Sequence, residues 1–125
     1  MNISLPRAVL VSTIALIPLA TLTSQQAGQV QRTPQFENDE VAVWKTVVTP
    51  NAPLTMHTHQ HPRVIVALSG GNMKVIYEDG TSESHQWDTG KAYWLPVEEG
   101  KKRHADANQG STPIEVMVVE LKNAK

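Results

Sequence analysis

The chain is 125 residues long, has no cysteine, and carries 11 Lys and Arg against 12 Asp and Glu, a formal net charge of −1. That length fits one domain, and the lack of thiols excludes both disulfide staples and a cysteine-ligated zinc. A near-neutral, slightly acidic surface has no general attraction for phosphate backbones, so nucleic acid is not an expected partner.

The chain opens with "MNISLPRAVLVSTIALIPLATL", one Arg7 followed by an apolar run from Ala8 to Leu22 that contains Pro18. Such a run is shorter than the ~20 residues a helix needs to cross a bilayer. Residues 1–27 are therefore read as a signal peptide that sends the protein to the periplasm or out of the cell. On this reading the mature form has no stable membrane span. A retained anchor is the alternative, because "TLTSQQAGQ" forms the small-x-small cleavage pattern poorly. Residues 28–40 are polar with scattered apolar side chains and read as a linker or loosely held arm.

The folded domain is expected over 41–125. "VAVWKTVVT" from Val41 to Thr49 is rich in β-branched residues and is stopped by Pro50-Asn51-Ala52-Pro53, which predicts a strand. Further short strands are predicted over Leu54 to His59, Val64 to Ser69, Asn72 to Glu78, Thr81 to Trp87, Lys91 to Leu95 and Ile114 to Leu121. Glu78-Asp79-Gly80-Thr81 is a two-residue hairpin signal, since glycine tolerates the positive φ of such a turn. No stretch after residue 27 keeps a helical period beyond two turns, so the domain is expected to be nearly all β, a sandwich or a barrel. Val64 to Leu68 and Val116 to Val119 are apolar at successive positions, as in strands covered on both faces. A second copy of the chain would supply that cover, and a homodimer is expected.

Polar alternation marks "HTHQHPR" from His57 to Arg63. Residues two apart on a strand share a face and lie about 6.6 Å apart, so His57 and His59 can turn toward one ion. His61 is about 13 Å from His57 by the same rise, too far for easy convergence, and a third ligand must come from elsewhere. His85 and His104 are the remaining histidines. His85, in "SESHQW", follows the alternation of an outer strand and reads as a surface residue. Asn108 reads as a turn residue that satisfies backbone groups. Lys101-Lys102-Arg103 follows Glu98-Glu99 and reads as a solvated mixed-charge loop. No Gly-x-Ser-x-Gly elbow surrounds Ser69 or Ser111, so hydrolase chemistry of that type has no support.

"NAPLTMHTHQHPRVIVALSG", residues 51–70, resembles the first motif of the cupins, with His57, His59 and Gly70 on their expected places. "GKAYWLPVEEGKKRHADAN", residues 90–108, resembles the second, matching at Gly90, Pro96, His104 and Asn108. The resemblance implies an all-β, double-stranded β-helix or jelly-roll-like barrel holding a divalent metal between His57, His59 and His104, with His61 as the substitute ligand. Three departures accompany it. Asn51 replaces the first glycine, the segment after Pro96 is three residues longer than the motif, and Arg63 stands where the motif has its Glu ligand. A guanidinium cannot bind a cation. The histidines that remain resemble the three-histidine iron site of the thiol dioxygenase branch, where an arginine near the metal holds the substrate carboxylate. This implies Arg63 as a substrate-binding residue, a small anionic organic ligand, and dioxygenase-like chemistry if the protein is an enzyme. A nitrogen-rich site accepts iron, zinc, manganese, nickel or copper. The alternative expectation is a non-catalytic module that binds a small molecule or a metal without transforming it. Fold alone does not choose between them.

Overall fold

The structure is a computed structural model that describes residues 28–124. The expected signal peptide, 1–27, lies outside the described residues. Eight strands and one short helix follow one another as β1 (Val30–Glu37), β2 (Val41–Val48), β3 (Arg63–Ser69), β4 (Gly71–Tyr77), β5 (Ser82–Trp87), β6 (Ala92–Leu95), α1 (Val97–Lys101), β7 (His104–Asn108) and β8 (Ile114–Leu121). Backbone pairing gathers them into a five-stranded sheet of order β1-β2-β8-β3-β6 and a three-stranded sheet of order β5-β4-β7, with every ladder antiparallel.

Period-2 alternation decides which side chains meet. Trp44 and Val48 of β2, Ile65 and Ala67 of β3, and Val116 and Val118 of β8 point inward from the large sheet, and Met73 and Trp87 answer them from the small one. Burial of these side chains supplies the main stabilisation, because the lack of cysteine leaves packing to do it. The opposite face of the large sheet is also apolar. Phe36, Val43, Val119, Val64 and Trp94 are successive cross-strand partners, one row running over all five strands. Phe36 is 58% and Trp94 56% exposed, so within one chain the two ends of this row face water.

Three expectations need correction. Among the described residues the first strand is β1, ahead of Val41, so most of the polar arm is an edge strand. All eight of its residues are exposed, so nothing in their hydropathy announces a strand; the ladder to β2 makes it one. A register shift between Pro34 and Phe36 accommodates the proline, which has no donor to give. Second, Leu54 to His59 is not a strand. Prolines at 50, 53 and 62 remove donors on both sides of it, and its contact with β7 is the isolated bridge between His57 and His104. Third, β7 was missed because "HADAN" has no β-branched residue; pairing with β4 and burial of Ala105 impose the extended form.

Local chemistry explains the joints. Asn51 has φ of 58°, the left-handed conformation that asparagine enters more readily than other non-glycine residues. Gly80 has φ of 85° in the predicted hairpin. Asn108 donates through Nδ2 to the carbonyls of Val48 and Thr112, both at 2.8 Å, and accepts from the Gly110 amide, which ties the β7–β8 turn to β2. Among the described residues no helix is long and apolar enough to cross a membrane.

Candidate metal centre

His57 and His104 are held opposite one another by two reciprocal backbone bonds. The His57 amide donates to the His104 carbonyl at 2.8 Å, and the His104 amide donates back at 3.0 Å. Their ring centroids are 4.5 Å apart. His59 is fixed differently, by its amide donating to the Gly100 carbonyl at 2.8 Å. Its ring centroid lies 4.9 Å from that of His57 and 5.6 Å from that of His104. One ligand nitrogen from each of the three lies within 4.8 Å of the other two.

The extra residues after Pro96 form α1, and α1 positions this cluster. Gly100 is buried in it, and a Cβ there would stand 2.8 Å from His59 Cβ and 3.2 Å from Arg63 Nη2. A side chain at this position would push both residues away.

Hydrogen bonds fix two of the tautomers. His57 Nδ1 lies 2.9 Å from the Thr55 carbonyl and His104 Nδ1 lies 2.6 Å from the Lys102 carbonyl. A carbonyl only accepts, so each Nδ1 is the donor, and Nε2 is the nitrogen left to face an ion. This is the arrangement in which metal-ligating histidines are normally held. His104 is 4% exposed.

Burial, followed by the charge of Arg63, pushes the His59 pKa down from 6.5 to about 3, with His57, His104 and Arg32 adding in the same direction. The imidazole is thus neutral at physiological pH and ready to ligate. Because the folded value lies below the unfolded one, the stability this ring contributes is complete above 6.5 and is lost as pH falls toward about 3. The thermal midpoint of the metal-free protein is expected to drop across that window, and to drop less in His59→Gln. Equal slopes for the two proteins would contradict this.

Arg63 opens β3 and is 7% exposed. Burial works against its charge, and the carboxylates of Asp106, Glu120 and Glu99 work for it. Its Nε is buried and, among the described residues, has no hydrogen-bond partner. The guanidinium lines a cavity of about 240 Å³ together with His57, His59, Trp44, Met73 and Trp87. Val30 and Arg32 of β1 complete the wall, and the Arg32 guanidinium carbon sits 3.5 Å over the Trp44 ring, a cation–π contact. A smaller cavity of about 50 Å³ lies against His104. His85 lines that one with Tyr77 and Asp106, so it is not the outer-surface residue its alternation suggested: it shares the inward face of β5 with Trp87. His61 is half-buried and stands outside the three-histidine cluster.

No protein-family model and no curated protein matches the sequence. Solved structures do match. A cupin domain from Bordetella pertussis Tohama I superposes with a TM-score of 0.66 at 23% identity, covering 78% of this chain and 97% of that one. An RmlC-like cupin family protein with a double-stranded β-helix fold from Methanocaldococcus jannaschii gives 0.57 at 15% identity, over 90% and 93%. This chain has the cupin fold. The polyketide cyclase RemF from Streptomyces resistomycificus is also similar in fold to this chain, with a TM-score of 0.55 at 19% identity over 79% and 70%.

On this fold the donor set fits a divalent ion: three imidazoles, two of them with Nδ1 bonded to backbone carbonyls, converge from two separate stretches of the chain. Sequence reasoning missed two polar residues at the site. Arg32 was hidden in a segment read as an arm. Asp106 could have been found, because it is two residues from His104 and shares its strand face.

Proposed function

We propose that this protein is an exported cupin that holds one divalent metal ion through His57, His59 and His104 and takes a small anionic organic ligand at Arg63. The observation that carries the reading is the convergence of three imidazoles whose protons, in two cases, are committed to backbone carbonyls. Such an ion, when bound, supplies a Lewis acid or an oxygen-activating centre with coordination positions open to ligand or solvent. Arg63 supports the anionic class of ligand: a buried guanidinium with an unpartnered Nε offers a planar fork suited to a carboxylate. The cavity walls support an apolar body on that anion, since Trp44, Trp87, Met73 and Ile65 line it. Holding the carboxylate beside the metal would orient the substrate, and dioxygen-dependent oxidation is the reaction proposed. The exposed row that begins at Phe36 and ends at Trp94 supports a homodimer joined through the large sheet.

The test uses the untagged protein. One equivalent of metal by elemental analysis after reconstitution, and oxygen uptake with small apolar carboxylates or thiols, are the expected results. A protein that takes up no metal under any reconstitution would end the reading. One observation favours a second one: a permanent cation, Arg63, stands beside the three histidines and opposes a cation in their midst. On that view the pocket is a metal-free binding module for small anions. Carboxylate binding that persists undiminished in the presence of a chelator would select it.

A further inference from the structure

β1 brings a second guanidinium to the cavity that Arg63 lines. Its residues Val30 and Arg32 stand opposite Val48 and Thr46 of β2 and share their inward face. Arg32 starts from the Thr46 row, yet its guanidinium carbon lies 3.5 Å from the centre of the Trp44 ring, two residues along β2. The side chain thus leans toward the row of Trp44, Val118 and Ile65, which lies between its own row and that of Arg63. Stacking on an aromatic ring occupies the face of a guanidinium and leaves its N–H groups, which lie in the plane, able to donate.

Arg32 is exposed where Arg63 is buried, so the two cations mark the outer and inner ends of one cavity. Arg63 Nη2 lies against α1, 3.2 Å from the place a Cβ at Gly100 would take, whereas Arg32 lies on Trp44. Among the described residues neither guanidinium is in an ion pair. The charge of Arg32 also acts against that of Arg63. Two like charges facing one cavity repel, and an anionic group at each end offsets the repulsion. Between them the wall is apolar, formed by Trp44, Ile65 and Val118. We propose that the ligand of this cavity is an α,ω-dicarboxylate: one carboxylate lies on Arg63 beside the three histidines, a short hydrocarbon chain lies on Trp44 and Val118, and Arg32 holds the second carboxylate at the mouth. This rests on the reading of Arg63 as an anion site and adds a second anchor to it. β1 then sets specificity, because it supplies the residue that separates diacids from monoacids.

Adipate and hexanoate differ only in whether one end carries a carboxylate or a methyl group. Calorimetric titration of each into the untagged protein, with and without Zn²⁺, tests the assignment, and succinate and suberate with their monoacids vary the span. The best-fitting diacid is expected to bind at least about tenfold more tightly than the monoacid of its length, as one added charge-assisted hydrogen bond would give. Arg32→Gln should remove that margin while weakening the monoacid by less than about threefold, since the monoacid has no group to lose there. Arg32→Lys should keep part of the margin, because the charge remains and the planar fork does not. Equal affinities for diacid and monoacid at every length, or a margin that survives in Arg32→Gln, would overturn the proposal and leave Arg63 as the anion site. An equal loss for both acids in Arg32→Gln would overturn it too, being the result of a residue that only packs on Trp44. If the wild type binds neither acid, the reading of Arg63 falls with it. Should Arg32→Gln melt well below the wild type, Arg32→Met, whose stem still covers Trp44, carries the same comparison.

Discussion

Alanine at His57 is expected to abolish stoichiometric metal uptake while leaving the fold intact. Removing one of three converging imidazoles deletes a direct ligand, whose loss should exceed the 10- to 100-fold typical of outer partners. The two that remain cannot enclose an ion in a preferred geometry. His57 is the cleanest of the three to test, because its side chain is 34% exposed and it belongs to no ladder. His104 is buried, and His104→Ala combines loss of a ligand with a cavity next to Tyr77. Elemental analysis after dialysis against excess Zn²⁺ gives the stoichiometry, and a thermal melt in chelator shows whether the metal-free variant is as stable as the metal-free wild type. Retention of one equivalent of metal by His57→Ala with an unaltered melt would remove this residue from the site.

Arg63→Glu should produce the opposite change. Exchanging a cation for an anion beside a divalent ion alters the Coulomb energy by several kcal/mol even at an effective dielectric of about 20, so metal affinity is expected to rise by about a hundredfold or more. The same exchange removes the fork that would hold a carboxylate and should abolish binding of small anions. Without the guanidinium, the new carboxylate joins Asp106, Glu120 and Glu99, which now act on Arg63 as countercharges. Like charges gathered in a partly buried site repel, so the metal-free variant should melt below the metal-free wild type and regain stability on adding Zn²⁺. Calorimetric titration of metal, then of a carboxylate such as benzoate, checks both directions. Unchanged affinity for each would mean that residue 63 does not face the site.

Most of the strands could be read from the chain because their residues report burial directly. β2, β3 and β8 alternate or run continuously in Val, Ile, Leu and Met, and Gly80 and Gly90 mark turns that need positive φ. What could not be read was imposed from outside the local sequence. β1 is polar along its length and owes its form to β2; β7 owes its form to β4; and Leu54 to His59 looks like a strand until its prolines are counted against the donors a ladder requires. The histidines followed from motif spacing, although the reason His57 and His59 can meet His104 is not strand alternation. It is a pair of backbone bonds to β7 and a glycine in α1 thin enough to lie against His59. Arg32 was missed because nothing about an isolated arginine in a polar stretch distinguishes it before its neighbours in space are known, whereas Asp106 could have been read from its place two residues after His104.

The offset in β1 has an effect beyond the strand itself. An open sheet margin invites another chain to add to it, and self-templating growth of that kind ends in fibrils. Here the outermost strand is interrupted by Pro34, and its spacing slips before Phe36, so an incoming segment would meet a missing donor and a misaligned ladder. At the far margin β6 has only four residues to offer. Unlimited lateral stacking is thereby discouraged at both margins of this sheet.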